Sequence, residues 1–158
     1  MSVRHFVFGV VIVLSTVVVS AKELVPFHGT WVGHTISAQP ISPTIVRVVS
    51  AGGGNASHLG KFTMVTPHLS FMQTLEIQGT QIFTAANGDT LYADTPGFLA
   101  PNGDGSLEGT LNCTILGGTG RFEGATGSYS FHLIARPGAF GFDTIADFRG
   151  VISSPGSK

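Results

Sequence analysis

The 158-residue sequence has few cysteines and few charged side chains. Its single cysteine, Cys113, excludes an intramolecular disulfide. Only 11% of the residues are charged and the formal net charge is −1, so the chain lacks both the basic surface of a nucleic-acid-binding protein and an acidic tail. Because 42% of the residues are hydrophobic, the chain is nevertheless too apolar for a disordered protein, and its length suits one domain.

The sequence also lacks the short motifs that are typical of common catalytic and metal-binding sites. There is no G-x-S-x-G nucleophile motif, and the loop at 96–105 lacks the spaced carboxylates of a calcium hand. His28 and His34 are six residues apart, which on one strand places them roughly 20 Å from each other, too far for one metal ion. We therefore predict no metal and no cofactor, and the catalytic residues, if the protein is an enzyme, stay unknown.

Residues 1–21 have the features of a signal peptide. A short polar start with Arg4 precedes an apolar run from Phe6 to Val19, and small residues follow up to Ala21. The alternative is a retained membrane anchor, but the run is shorter than the roughly 20 apolar residues that a spanning helix needs. We predict cleavage after Ala21, a domain at residues 22–158, a secreted or periplasmic location and no membrane attachment after cleavage.

The remaining sequence predicts an all-β domain. Twenty-two glycines and frequent turn signals separate short alternating segments, which is typical of a barrel or a sandwich. The strongest hairpin signal is Asn87-Gly88. The expected strands are Phe27–Ser37, Thr44–Ser50, Ser57–Thr66, Thr74–Ala85, Asp89–Thr95, Leu107–Ile115, Ser128–Leu133 and Phe142–Ile152. We expect loops or turns at residues 38–43, 51–55, 96–105 and 135–141, and a strand end or an edge at Pro67.

The clearest pattern is a hairpin between residues 105 and 133. Leu107–Ile115 alternates apolar and polar residues, and the alternation resumes in Ser128–Leu133. Between them lies GGTGRFEG at 117–124, whose glycines permit a reversal or a bulge. A phosphate-binding loop would need Lys and Ser or Thr after the last glycine, and Arg121-Phe122 stands there instead.

The segment GGTGRFEGATGSYSF at 117–131 resembles the glycine-rich hairpin of the allene oxide cyclase and dirigent barrels. The segments 56–63 and 83–90 also resemble those of uncharacterised secreted bacterial proteins with this barrel. The resemblance implies a single antiparallel β-barrel of about eight strands. For the plant cyclases it further implies an apolar cavity, a fatty-acid epoxide substrate and a trimer, hence a homo-oligomer as one expected partner. No cyclase or dirigent catalytic residue matches a position in this sequence.

Three hypotheses for the function follow from such a barrel. Eight strands leave a lumen that is filled by side chains or holds one small ligand. The first hypothesis is a secreted barrel that binds a small apolar ligand or acts as an interaction module. The second is a cyclase or isomerase that folds a flexible apolar substrate in the lumen. The third is a filled barrel used for assembly. The candidate ligand-binding residues are Trp31, Phe83, Tyr129, Phe131 and Phe142.

Overall fold

The computed structural model of the protein describes residues 22–156, so the predicted signal peptide at 1–21 lies outside the described residues. The described chain forms nine β-strands and one turn of 3₁₀ helix at Gly120–Phe122. The strands are β1 (Leu24–Ser42), β2 (Ile45–Ala56), β3 (Gly60–Phe71), β4 (Glu76–Ala85), β5 (Thr90–Asp94), β6 (Gly97–Pro101), β7 (Leu107–Gly118), β8 (Gly127–Gly138) and β9 (Gly141–Ser153). Among these residues no helix has the length and apolar character needed to cross a membrane.

The nine strands form one closed antiparallel sheet. Consecutive strands pair with each other from β1 to β4 and from β7 to β9. Strand β9 also pairs with the first part of β1, from Leu24 to His34, and this closes the sheet. Strands β5 and β6 lie between β4 and β7 and complete the circle. A closed barrel leaves no exposed edge for pairing with other chains. The prediction of an all-β, single antiparallel barrel is confirmed.

Strands β5 and β6 occupy a single position in the barrel, so the nine strands fill eight positions. Opposite β7, Ala93 pairs with Ile115 and Gly97 pairs with Leu111, which is one continuous register. The two strands are separated only by Thr95 and Pro96. Proline has no N–H to donate to the ladder, which accounts for the interruption.

Four predicted loops are wholly or partly strand in the structure: residues 38–42, 51–55, 97–101 and 135–138. Proline was the misleading signal in the loop predicted at 38–43 and also at the strand end predicted at Pro67. Strand β1 passes Pro40 by shifting its register with β2, as bulged strands do. Strand β3 passes Pro67 while its pairing with β2 continues, and only its ladder with β4 has a gap there. The expected break at Pro67 was therefore wrong.

The glycines at 52–54 were also misleading, because they lie inside β2 rather than in a turn. A Cβ at Gly54 would overlap the carbonyl oxygen of Thr30 and the ring of Phe62. Glycine is needed here because a neighbouring backbone and an aromatic ring approach closely, which is a known role of glycine within strands.

One half of the barrel interior is filled by aromatic rings. Phe27, Phe83, Tyr129 and Phe148 contact one another with ring centroids 5.1–6.3 Å apart, and Phe62 packs beside them. These distances and the mostly tilted or edge-on angles are those that aromatic pairs prefer. We call this cluster the packed half of the barrel.

The glycine-rich segment closes the end of the packed half. Its 3₁₀ turn presents Phe122, whose side chain is fully buried. The predicted turn is therefore present between β7 and β8, and it forms a cap. The carboxylate of Asp89 fastens the cap by accepting a hydrogen bond from the backbone N–H of Arg121 at 3.3 Å and by pairing with its guanidinium at 3.6 Å.

Candidate functional site

The other half of the barrel contains a cavity of about 290 Å³. Its wall is built from the inward positions of the strands, and it reaches the surface at residues such as Met72, which is 55% exposed. Side chains in strands alternate between the two faces of the sheet, so β2 and β3 contribute alternate residues such as Val46, Val48 and Ser50 of β2 to this wall, and Met72 and Leu75 join it from the loop between β3 and β4. The volume lies at the lower end of the range for small-molecule sites.

Three of the five predicted ligand-binding residues lie in the cavity wall. Trp31, Phe131 and Phe142 line it, and the rings of Trp31 and Phe131 are 6.2 Å apart. Phe83 and Tyr129 face the interior as well, but they belong to the packed half and are not part of the wall. The structure thus divides the predicted set between the two halves of the barrel.

The floor of the cavity is polar and uncharged where it meets the packed half. The hydroxyl of Tyr129 donates a 2.5 Å hydrogen bond to Oε1 of Gln81, which is almost fully buried and forms part of the wall. Burial raises the pKa of Tyr129 well above its ordinary value, and it raises the pKa of the neighbouring Cys113 thiol to about 12. Both groups are therefore neutral at physiological pH, and Cys113 is no nucleophile.

Three buried polar atoms in the wall lack a hydrogen bond of ordinary geometry within residues 22–156. They are Nε1 of Trp31, Oγ1 of Thr66 and Oγ1 of Thr95, the last of which has only the weakly hydrogen-bonding thiol of Cys113 beside it. A pairing requirement is rarely left unmet in protein interiors, and each exception calls for an explanation. All the unpartnered buried side-chain atoms of the described chain belong to residues of this one wall.

The cavity wall contains two ionisable side chains, those of His68 and Glu76. Nδ1 of His68 lies 3.0 Å from the carbonyl oxygen of Thr66, so it carries the proton and donates to that oxygen. Burial lowers the pKa of His68, which keeps the imidazole neutral. Its Nε2 then has a free lone pair, and it forms no hydrogen bond in the described part of the chain.

Thr66 and His68 were not predicted as wall residues. Both follow Phe62 and Met64 at even positions of β3, and all four share the inward face. The signal for both was the alternation, which already covered Thr66 in the predicted strand Ser57–Thr66 and which reaches His68 if it is continued past Pro67. Within residues 22–156, no group of three or more His, Cys, Asp or Glu side chains is placed to hold a metal ion.

Two solved structures resemble this barrel over most of its length. The pterocarpan synthase dirigent protein GePTS1 matches with a TM-score of 0.51 and 16% identity, covering 90% of this chain and 96% of that one. A second pterocarpan synthase dirigent protein, PsPTS1, matches with a TM-score of 0.56 and 12% identity, covering 87% of this chain and all of that one.

The barrel has the dirigent fold. The expected resemblance to dirigent barrels is thereby confirmed at the level of the fold, which is as much as identities of 12–16% can carry. No protein-family profile and no curated protein matches the sequence. What the dirigent-like barrel of this chain does must therefore be argued from its own cavity.

Proposed function

We propose that this protein is a secreted dirigent-like barrel that binds a small apolar molecule in the open half of its lumen. The observation that carries the proposal is the cavity of about 290 Å³ beside a packed core. A barrel used only for assembly has no need of such a space, and apolar wall that is left against water forgoes the free energy gained by its burial. A ligand would cover that wall.

The shape of the site supports an apolar ligand of modest size. The wall contains aromatic rings at Trp31, Phe131 and Phe142, and neither Lys nor Arg contributes to it. Burial of apolar ligand surface against such a wall is the main favourable term in binding. The packed half below provides a rigid base, so the cavity exists without rearrangement of the barrel.

Native mass spectrometry of residues 22–158 tests this proposal. Thr144 lines the cavity from β9, whereas its neighbour Ile145 faces outward and is 45% exposed. Thr144→Phe should fill the cavity and abolish uptake of an apolar molecule offered in excess, whereas Ile145→Phe should leave uptake intact. If the wild-type chain takes up no apolar molecule, or if both variants bind as it does, the proposal fails.

A second candidate function is a cyclase or isomerase that acts in the same cavity, and His68 is the observation that favours it. A neutral imidazole with a free Nε2 in an apolar wall is able to accept a proton from a bound substrate. The test is to incubate the bound molecule with the wild type, with His68→Gln and with the exposed control His28→Gln. Chemical conversion that only His68→Gln abolishes would support an enzyme, and an unchanged ligand in all three samples would contradict it.

A further inference from the structure

The unpartnered polar atoms of the cavity specify the ligand more closely than its apolar wall does. Thr66, Thr95 and Trp31 are at most 8% exposed. Within residues 22–156 the Thr66 hydroxyl and the Trp31 indole N–H lack a partner, and the Thr95 hydroxyl has only the weakly hydrogen-bonding thiol of Cys113 beside it. A buried polar group without a partner costs roughly 1–3 kcal/mol. Three such groups around one cavity indicate that a polar atom of the ligand forms hydrogen bonds with them.

Strand register places Thr66 beside Gln81 and places Thr95 diagonal to it, opposite Gly79. Thr66 stands opposite Gln81, because the pairs Val65–Ile82 and His68–Gly79 flank this position in one register. The backbone N–H of Thr95 donates to the carbonyl oxygen of Gly79 at 3.0 Å, which brings Thr95 to the other side of β4. Directly opposite residues on one face have Cβ atoms roughly 5 Å apart and diagonal ones roughly 7–8 Å apart. One small ligand group beside Gln81 can therefore reach Thr66, and Thr95 lies one diagonal step away.

The polar groups available in the wall are mainly donors. The indole N–H of Trp31 can only donate, and both threonine hydroxyls have a proton to give. The carbonyl oxygen of Gln81 is already engaged by the hydroxyl of Tyr129, which leaves its amide N–H groups as its free hydrogen-bonding capacity. A donor-rich floor fits an acceptor on the ligand, which in an apolar molecule is an oxygen.

The same floor does not suit an anion. The wall contains no Lys or Arg, and its one imidazole gives its Nδ1 proton to the carbonyl oxygen of Thr66. A carboxylate placed there would be buried without a countercharge, which is far more costly than burial of a neutral oxygen.

We propose that the cavity takes an uncharged apolar molecule that carries a hydrogen-bond-accepting oxygen, held at the floor by the amide of Gln81 and the hydroxyls of Thr66 and Thr95 on the neighbouring strands. The hydrocarbon part of the molecule lies against the apolar wall towards the mouth. This inference rests on the proposed function, because it assigns a chemical class to the ligand of the same cavity.

Three probes with ten-carbon chains test the ligand class: decane, 2-decanone and decanoate. Their relative affinities follow from competition in native mass spectrometry, and the fluorescence of Trp31, the single tryptophan, gives an independent readout. We expect 2-decanone to bind at least about tenfold more tightly than decane, as one additional hydrogen bond implies, and decanoate to bind more weakly than 2-decanone.

The double variant Thr66→Val, Thr95→Val removes both hydroxyls with little change of shape. It should lose about tenfold in affinity for 2-decanone while its affinity for decane is kept. Its unliganded form should be about as stable as the wild type, since one hydroxyl without a partner and one with only a thiol beside it are gone. Thr144→Val is the matched control, because its hydroxyl lies in the same wall but is not among the unpartnered buried atoms.

The outcomes separate this inference from the proposed function. If decane and 2-decanone bind the wild type equally well, or if decanoate binds best, the assigned ligand class is overturned while the cavity remains a binding site for apolar molecules. If none of the three probes binds, the proposed function itself is contradicted. The wild-type comparison decides this even if the double variant does not fold.

Discussion

The hydroxyl of Tyr129 and the side-chain oxygen of Gln81 are 2.5 Å apart at the level where the packed half of the barrel meets the cavity. Tyr129 contributes its ring to the aromatic cluster, and Gln81 forms part of the cavity wall. The pair therefore satisfies one polar group of the packed half while it leaves the amide N–H groups of Gln81 for the cavity. It links the packing of the barrel to the chemistry of the site.

We expect Gln81→Leu to lower the free energy of unfolding by about 1–3 kcal/mol, because the buried hydroxyl of Tyr129 loses its partner. Denaturation by urea measures this. The control is Gln78→Leu, an exposed position three residues earlier on β4, which should change stability by less than about 0.5 kcal/mol. The double variant Gln81→Leu, Tyr129→Phe should recover part of the loss, since neither polar group remains. A double variant no more stable than Gln81→Leu would contradict the assigned pairing.

The indole of Trp31 lies against Gly33, and a Cβ at Gly33 would overlap its ring and the carbonyl oxygen of Ala51. We expect Gly33→Ala to destabilise the protein by about 1–3 kcal/mol through overpacking and to shift the emission of the single tryptophan. Gly103→Ala is the control, because no atom lies within 4 Å of its added Cβ. If Trp31 fluorescence and stability are unchanged in Gly33→Ala, the indole does not occupy this space.

The sequence allowed the barrel to be predicted but only part of the site. Alternation in Leu107–Ile115 and in Ser128–Leu133 correctly identified strands and their inward faces. Alternation does not tell how deep in the barrel a residue lies, because depth depends on the register between strands. Phe83 and Phe131 both face inward, yet the first belongs to the packed half and the second to the cavity wall.

The polar floor was harder to predict than the aromatic wall, for a physical reason that residues 66–68 illustrate. Proline usually ends a strand, so Pro67 obscured the inward position of His68. Thr66 lay inside the predicted strand Ser57–Thr66, on the face of Phe62 and Met64, but its polar side chain was not singled out. The structure keeps the strand because β3 remains paired with β2 through Pro67. Only the tertiary pairing shows that two polar side chains enter an apolar lumen here.

The two glycines of the cap allow the effect of Asp89 to be isolated. Gly120 and Gly124 have positive φ angles of 57° and 63°, so alanine is strained at both, by about 1–2 kcal/mol. A Cβ at Gly120 would also overlap the carboxylate of Asp89, whereas nothing lies within 4 Å of a Cβ at Gly124. We therefore expect Gly120→Ala to lower the unfolding free energy more than Gly124→Ala does in urea denaturation. Equal losses would mean that the contact with Asp89 contributes nothing to the cap.

The lowered pKa of His68 makes the stability of the barrel depend on pH in a defined window. Unfolded His68 binds a proton below about pH 6.5, whereas burial keeps the folded imidazole neutral to a lower pH. In this window the unfolded state binds more protons than the folded state, so stability is fully present above about pH 6.5 and falls as the pH drops towards the folded pKa.

Urea denaturation between pH 7.5 and pH 5 measures this dependence. We expect the wild type to lose stability over the range and His68→Gln to lose less, because glutamine does not titrate. His28→Gln should follow the wild type, since His28 is exposed and its backbone, not its ring, is held by Ser57. A pH dependence that is the same in His68→Gln and in the wild type would show that His68 is protonated equally in the folded and unfolded chains. In that case the imidazole is not the neutral acceptor required for a catalytic role in the cavity.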